Sequence, residues 1–298
     1  MSRDDRPDPA TEAFLTHRNL LFTVAYEMLG SAADAEDVLQ ETWLRWAGVD
    51  LDTIENQRAY LVRITTRQAL TRLRTLSRRK ESYVGQWLPE PLLTTPYVAE
   101  DVELAEHVSM AMLLVLETLT PTERAVFVLR EVFDVGYDEV AEAVGKTPAA
   151  IRQIAHRARE HVAARRPRGT VTAAQSRDAL DAFHRAVETG DLRSLIDLLA
   201  PDVVLLGDGG GIKQAVQQPI VGADKVARLL SAGLGRIAAV VSLRRAQVNG
   251  YPALIIQLDG ELDTVLAVRI DEGLITGLYA VRNPEKLSHM RTETALRR

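Results

Sequence analysis

From Arg152 to Arg159 the chain reads RQIAHRAR. Arginine, glutamine and histidine present the donors and acceptors that match base edges in a DNA major groove, where a bidentate arginine is worth about 1–3 kcal/mol of discrimination. Ile151, Ile154, Ala155, Ala158 and Val162 share one helical face, which leaves Arg152, Gln153, His156, Arg157 and Arg159 outward. We assign Arg152, Gln153 and His156 to base edges and Arg157 and Arg159 to phosphates. A second set, Asn56, Tyr60, Arg63 and Arg67, joins an aromatic ring to polar and basic neighbours, the equipment for stacking on and holding an unpaired base. Arg74 and Arg78 continue its basic line. A third set has the opposite sign: Asp37, Gln40, Glu41 and Leu44 fall at i, i+3, i+4 and i+7, one stripe of a helix. Carboxylates ending in a leucine suit a protein surface better than DNA; a solvated acidic face is the plainer alternative.

Helices must carry all three sets. Asp138 to Val144 predicts a short helix, Gly145 a left-handed stop, Thr147 the next N-cap at the DNA-facing end, and Pro148 a first turn. Helix, glycine turn and helix make the arrangement whose second helix enters the major groove. Near the N-terminus, Phe14, Leu20, Leu21, Val24, Ala25 and Met28 form one stripe, and Gly30 followed by Ser31 reads as a stop and a new cap. The acidic helix buries Ala35, Val38, Leu39, Thr42, Trp43 and Trp46. A third helix is predicted from Arg58 to Leu76. After RRPRGTVTAA the composition changes. Helical patterns at Ser176–Thr189 and Leu192–Leu199 lead into VVLLGDGGG, and strand runs split by Asn249-Gly250, Asp259-Gly260 and Asp271-Glu272-Gly273 describe an antiparallel meander.

The 298 residues, 46% hydrophobic and 26% charged, suffice for two or three globular domains. The net charge of -5 argues against a nucleic-acid partner only as an average. Basic residues concentrate at 63–80 and 152–168, and carboxylates at 27–55, so different surfaces meet different partners. The start, MSRDDRPDPATE, has no apolar stretch behind a basic head, and the most apolar run, Ala111 to Leu116, is too short to span a membrane. The cytoplasm is the expected compartment. With no cysteine there are no disulfides or thiolate metal sites, and neither a cofactor nor a metal is expected.

Trp87 to Pro96 reads WLPEPLLTTP. Three prolines keep it out of helices and central strands, yet Trp87, Leu88, Leu92 and Leu93 are costly to leave in water, at about 25 cal/mol per Å² of apolar surface. It is a linker that must pack on something. His184, Asp208 and Tyr279 supply an acid, a base and an orienting hydroxyl, the minimum for an enzyme. Gly209 to Gly211, with no helix start and no GKT/S after them, do not read as a phosphate loop. A DNA-binding regulator with a ligand-binding or catalytic C-terminal domain is therefore the alternative function.

DAEDVLQETWLRW, RAYLVRITTRQALTRLR and the helix-turn-helix together resemble the extracytoplasmic-function sigma factors of bacterial RNA polymerase, over about Thr11 to Arg166. WLPEPL, Asp208-Gly209-Gly210-Gly211 followed by Lys213, and NPEKL at Asn283–Leu287 resemble the subgroup with a C-terminal SnoaL-like domain, the sigma factor J type. Ile212 and Glu285 depart from its DGGGK and NPDKL marks. The resemblance implies two all-α domains, the second a helix-turn-helix, followed by an α+β SnoaL-like domain with a cone-shaped, curved antiparallel sheet. The expected boundaries are 1–80, a linker at 81–105, 106–168 and 171–298. It implies a factor that binds core RNA polymerase at the beta-prime clamp region through Asp37, Gln40, Glu41 and Leu44. Promoter DNA is then read by the two basic sets, the minus-ten element by the first and the minus-thirty-five element by the second. The free chain is expected to be a monomer with no membrane partner. In this subgroup the C-terminal domain stands in for a separate anti-sigma protein. Trp87, Leu88 and Pro89 are expected to dock on Asp208, Gly209, Gly210, Gly211 and Lys213 and on Asn283, Pro284, Lys286 and Leu287, with Trp87 as the anchor.

Overall fold

The computed structural model describes residues 8–95, 101–165, 173–234 and 239–297. The helices in chain order are α1 (Pro9–Leu29), α2 (Ala32–Trp46), α3 (Gln57–Glu81), α4 (Val102–Val108), α5 (Met110–Leu116), α6 (Pro121–Phe127), α7 (Tyr137–Val144), α8 (Pro148–Ala163), α9 (Ala173–Thr189), α10 (Leu192–Leu198) and α11 (Ala223–Leu234). The strands are β1 (Leu199–Asp208), β2 (Ile220–Val221), β3 (Val241–Val248), β4 (Tyr251–Leu258), β5 (Glu261–Asp271) and β6 (Leu274–Val281). Two compact units result. One comprises Met1–Arg79, Val115–Arg165 and Ala295–Arg298; the other comprises Lys80–Leu114 and Arg166–Thr294.

In the helical unit, α1 stops at Gly30, whose φ of 68° costs a glycine little. Ser31 then caps α2, its Oγ accepting from the Asp34 N–H at 3.1 Å. The apolar stripe of α1 is buried, as are Ala35, Val38, Leu39, Thr42 and Trp46 of α2. Trp46 donates its indole Nε1–H to the Ala10 carbonyl at 2.7 Å. Trp43 is only half-buried and meets Phe14 edge-on. α3 runs five residues beyond Leu76 because neither glycine nor proline interrupts it. A capping box of Thr120 and Glu123 starts α6. Arg124, 1% exposed, donates to the Glu27 carbonyl near the end of α1 at 2.9 Å and pairs with Glu117 at 2.6 Å. A π-helical turn at Val128–Val132 precedes α7. Gly145 takes φ 73° between α7 and α8, and Ile151, Ile154, Ala155, Ala158 and Val162 are buried.

In the second unit the sheet order is β2-β1-β6-β5-β4-β3, with every neighbouring pair antiparallel except β1 and β6, which run parallel. The side-chain period of two gives the sheet two apolar faces. Leu205, Leu254, Leu266, Val268 and Leu278 pack with Phe183, Leu195 and Val226 of the helices. Ala253, Ile255, Val265, Ala267, Tyr279 and Val281 face the other way and pack with Leu88, Met110, Leu287 and Met290. The sequence pattern predicts no element over 212–237. α11 lies there, and its signal was the stripe Val226, Ala227 and Leu230.

Candidate functional site

Asp37, Gln40, Glu41 and Leu44 are all exposed on α2, opposite its buried face, and Leu44 is 68% exposed. Arg72 of α3 holds Asp37 at 2.7 Å and Asp34 at 2.6 Å. On α8, Arg152, Gln153, His156, Arg157 and Arg159 are exposed along one side, and Thr147 caps the helix through the Ala150 N–H at 3.3 Å. His156 lies 3.6 Å from Glu160, and Arg159 lies 3.8 Å from Glu131.

The set on α3 is engaged differently from the sequence expectation. Asn56 accepts from the Ala59 N–H at 3.0 Å, so its carbonyl oxygen caps α3. Tyr60 packs on Trp46, ring centroids 5.8 Å apart, and carries the Arg63 guanidinium 4.7 Å over its ring. Arg63 pairs with Glu142 of α7. Arg67 donates to the Glu142 carbonyl at 2.8 Å and to the Ala143 carbonyl at 3.4 Å, at the negative C-terminal end of the same helix. Arg74 is exposed.

The linker meets the sheet unit through a buried ion pair. Asp208, at the end of β1, is fully buried. Its Oδ2 accepts from the Leu88 N–H at 2.9 Å and from Lys286 Nζ at 2.7 Å; its Oδ1 accepts from the Tyr83 hydroxyl at 2.5 Å and the Gly210 N–H at 3.0 Å. Lys286 also donates to the Leu88 carbonyl at 2.6 Å and stands 3.3 Å over the Trp87 ring. Four donors on one carboxylate are what a buried charge needs to be tolerated. Burial pulls the Lys286 ammonium down to about 8, against the opposing charge and hydrogen bond of Asp208. Burial and the bond to Asp208 push the Tyr83 hydroxyl above its ordinary range.

Asn283 bonds the Tyr83 hydroxyl at 2.9 Å, and its amide fills the space where a side chain on Gly210, at φ 63°, would project. Gly209 leaves no room for a Cβ against the Lys213 carbonyl. Ile212 is taken up in a tight turn in which both its N–H and that of Lys213 donate to the Gly209 carbonyl. Lys213 reaches Asp263 at 2.7 Å, beside Arg282 at 2.9 Å. Burial would raise the Asp263 carboxyl, but the hydrogen bonds of Lys213 and Thr264 and the charge of Arg282 hold it below its ordinary value. Pro89 and Leu287 are buried, whereas Pro284 is exposed. Leu88, with 0% exposure, is the deepest linker residue. Trp87 is half-buried, and its Nε1–H has no hydrogen-bond partner among the described residues.

A model of Sigma-70 region 2 matches residues 13–79, and one of Sigma-70 region 4 matches residues 109–162. The ECF RNA polymerase sigma factor SigJ of Mycobacterium tuberculosis is 35% identical over 91% of this chain and 91% of its own length. The chain belongs to the ECF RNA polymerase sigma factors. The probable factor SigI of the same species is 32% identical over 96% of this chain and 97% of its own. The crystal structure of SigJ matches with a TM-score of 0.75 at 32% identity, covering 94% of this chain and 98% of that one. This sigma factor thus directs transcription initiation, with its helical regions followed by an α+β domain. Among the described residues no helix is long and apolar enough to cross a membrane, and no group of three or more His, Asp or Glu is placed to hold a metal.

Of the catalytic candidates, Asp208 holds the linker, His184 lies on α9 3.6 Å from Glu188, and Tyr279 packs in the linker-side apolar cluster. No hydrogen bond joins any two of them. Sequence reasoning missed Tyr83 and Asn249, both bonded into the linker site. Tyr83 carried one signal, an aromatic residue four positions before Trp87.

Proposed function

We propose that this sigma factor is regulated in cis by its SnoaL-like domain, which grips the linker between the two promoter-reading regions and restrains initiation until the grip loosens. The observation that carries this reading is the fully buried Asp208, bonded at once to Lys286, Tyr83 and the Leu88 backbone. A linker that only joined two DNA-reading regions would need to be no more than polar and flexible. The domain therefore binds the linker rather than a substrate. Core polymerase is bound at the beta-prime clamp region by Asp37, Gln40, Glu41 and Leu44, in the cytoplasm, by a chain that is monomeric when free. Arg152, Gln153 and His156 read upstream base edges, while Arg157, Arg159 and Thr147 hold phosphates. Asn56, Tyr60, Arg63, Arg67 and Arg74 take the melted downstream strand. The Arg63 and Arg67 contacts with α7 support a closed state, since the Glu142 carboxylate and two helix-end carbonyls occupy donors that phosphates would otherwise take.

The test is Lys286→Met in the full chain, assayed by transcription with core polymerase. It leaves the Asp208 carboxylate without its cation, a loss that typically costs about 3–5 kcal/mol. Output should rise several-fold with recovery of core enzyme in a pull-down unchanged. Unchanged or lower output, in a variant whose residue 88 amide has lost its exchange protection, overturns the reading.

A further inference from the structure

Three hairpin turns of the sheet carry a non-glycine residue at positive φ followed by glycine: Asn249 (φ 54°), Asp259 (φ 51°) and Glu272 (φ 51°). Such turns ordinarily lie at solvent-exposed tips. Asp259-Gly260 and Glu272-Gly273 are exposed, but Asn249 is 1% exposed and Gly250 is buried with it. The left-handed backbone is satisfied as well by aspartate or glycine, so the turn by itself does not explain the asparagine.

Its side chain does. Asn249 Oδ1 accepts from the Leu92 N–H at 3.0 Å, and Nδ2 donates to the Val108 carbonyl at the end of α4 at 2.9 Å. Its backbone N–H donates to the Leu92 carbonyl at 2.9 Å. Gly250 N–H donates to Thr94 Oγ1 at 3.0 Å, and Thr94 N–H donates to the Gln247 carbonyl at 2.9 Å. Leu93 thereby forms an antiparallel bridge with Val248 at the end of the edge strand β3. The amide supplies an acceptor to one chain segment and a donor to the other, whereas aspartate carries no donor and glycine neither group.

We infer that the Asn249-Gly250 turn is a second linker-binding site, independent of the Asp208–Lys286 pair, and that Asn249 is its positioning residue. The first site holds the linker at Leu88, just after α3. The second holds it at Leu92 and also holds Val108, so one side chain fixes both ends of the stretch 92–108 that leads to the helix-turn-helix. Opening the first site alone leaves the second closed. As a regulatory device the second site rests on the cis-regulation proposed above, but as a binding site it does not.

Amide hydrogen exchange of the full chain separates the two. Asn249→Gly keeps the positive φ and removes both side-chain bonds. The Leu92 amide should exchange at least tenfold faster, with the residue 88 amide within threefold of the parent; Lys286→Met should give the reverse pattern. If β4 also loses protection in Asn249→Gly, Asn249→Asp is used instead. It tolerates the turn but sets a carboxylate oxygen against the Val108 carbonyl, and the same split is expected. An unchanged Leu92 amide, or amides 88 and 92 moving together in either variant, overturns the second site. If the split appears while promoter output stays at the parent level in both variants, the site stands and cis-regulation fails.

Discussion

Replacing Leu88 by alanine should open the linker more than replacing Trp87, although tryptophan is the larger side chain. What matters is which contacts are lost when the linker leaves the sheet. Leu88 is fully buried in a cluster with Val248, Ala253, Ile255 and Val265 of the sheet, and all of these stay behind. A buried leucine-to-alanine change costs about 2–5 kcal/mol, and even about 2 kcal/mol raises the open fraction roughly 30-fold. Trp87, in contrast, packs on Tyr83 at 4.7 Å between ring centroids and lies under Lys80 at 4.8 Å. Both belong to the same stretch of chain and can travel with it. Its charged contact with the domain is the Lys286 ammonium at 3.3 Å, a cation–π contact worth about 2 kcal/mol for a desolvated pair, and its loss is partly offset by release of the unpartnered indole N–H. Trp87→Ala should therefore shift the equilibrium by about tenfold or less. Exchange of the residue 88 amide, corrected for intrinsic rate and referenced to interior amides of β4 and β5, measures both. A larger effect from Trp87→Ala, or less than fivefold from Leu88→Ala, would refute the reasoning.

Charge reversal at Asp37 and Glu41 together should abolish recovery of core polymerase in a pull-down while the helical circular dichroism stays at the parent level, because Val38, Leu39 and Trp46 on the buried face are untouched; undiminished recovery counts against the stripe. Arg152→Ala should lower transcription unequally across upstream promoter variants, by up to about 1–3 kcal/mol of discrimination at one base pair, and an equal loss on every variant rules out base reading there. The ammonium of Lys286 titrates near 8 when folded and near 10.5 when unfolded. Between those values the unfolded chain binds the extra proton, so the contribution of this group to folding stability should be flat below pH 8 and rise with pH above it. The slope is at most about 1.4 kcal/mol per unit. Measured by urea unfolding up to about pH 9, below the range in which tyrosines of the unfolded chain ionise, this rise should vanish in Lys286→Met; a rise that persists there has another source.

Much of the helical unit was legible because its determinants are local. The stripes of α1, α2 and α8, the left-handed glycines 30 and 145 and the caps Ser31 and Thr147 each depend on residues within about four positions, and, apart from the half-buried Trp43, the structure places them as the sequence predicts. Composition likewise required that a Trp-Leu-Pro linker pack against something. What the tertiary structure alone decided are pairings whose partners lie far apart in the chain. Arg63 meets Glu142 across 79 positions, Leu88 meets Asp208 across 120, and Asn249 meets Leu92 across 157. No periodicity encodes which carbonyl a guanidinium will face, that β1 will run parallel to β6, or that one of three similar hairpin turns will be buried. The preference for Leu88 over Trp87 as the deep residue has the same origin. Side-chain size sets how much surface is available to bury, but only the shape of the sheet face decides which of two neighbouring side chains it admits.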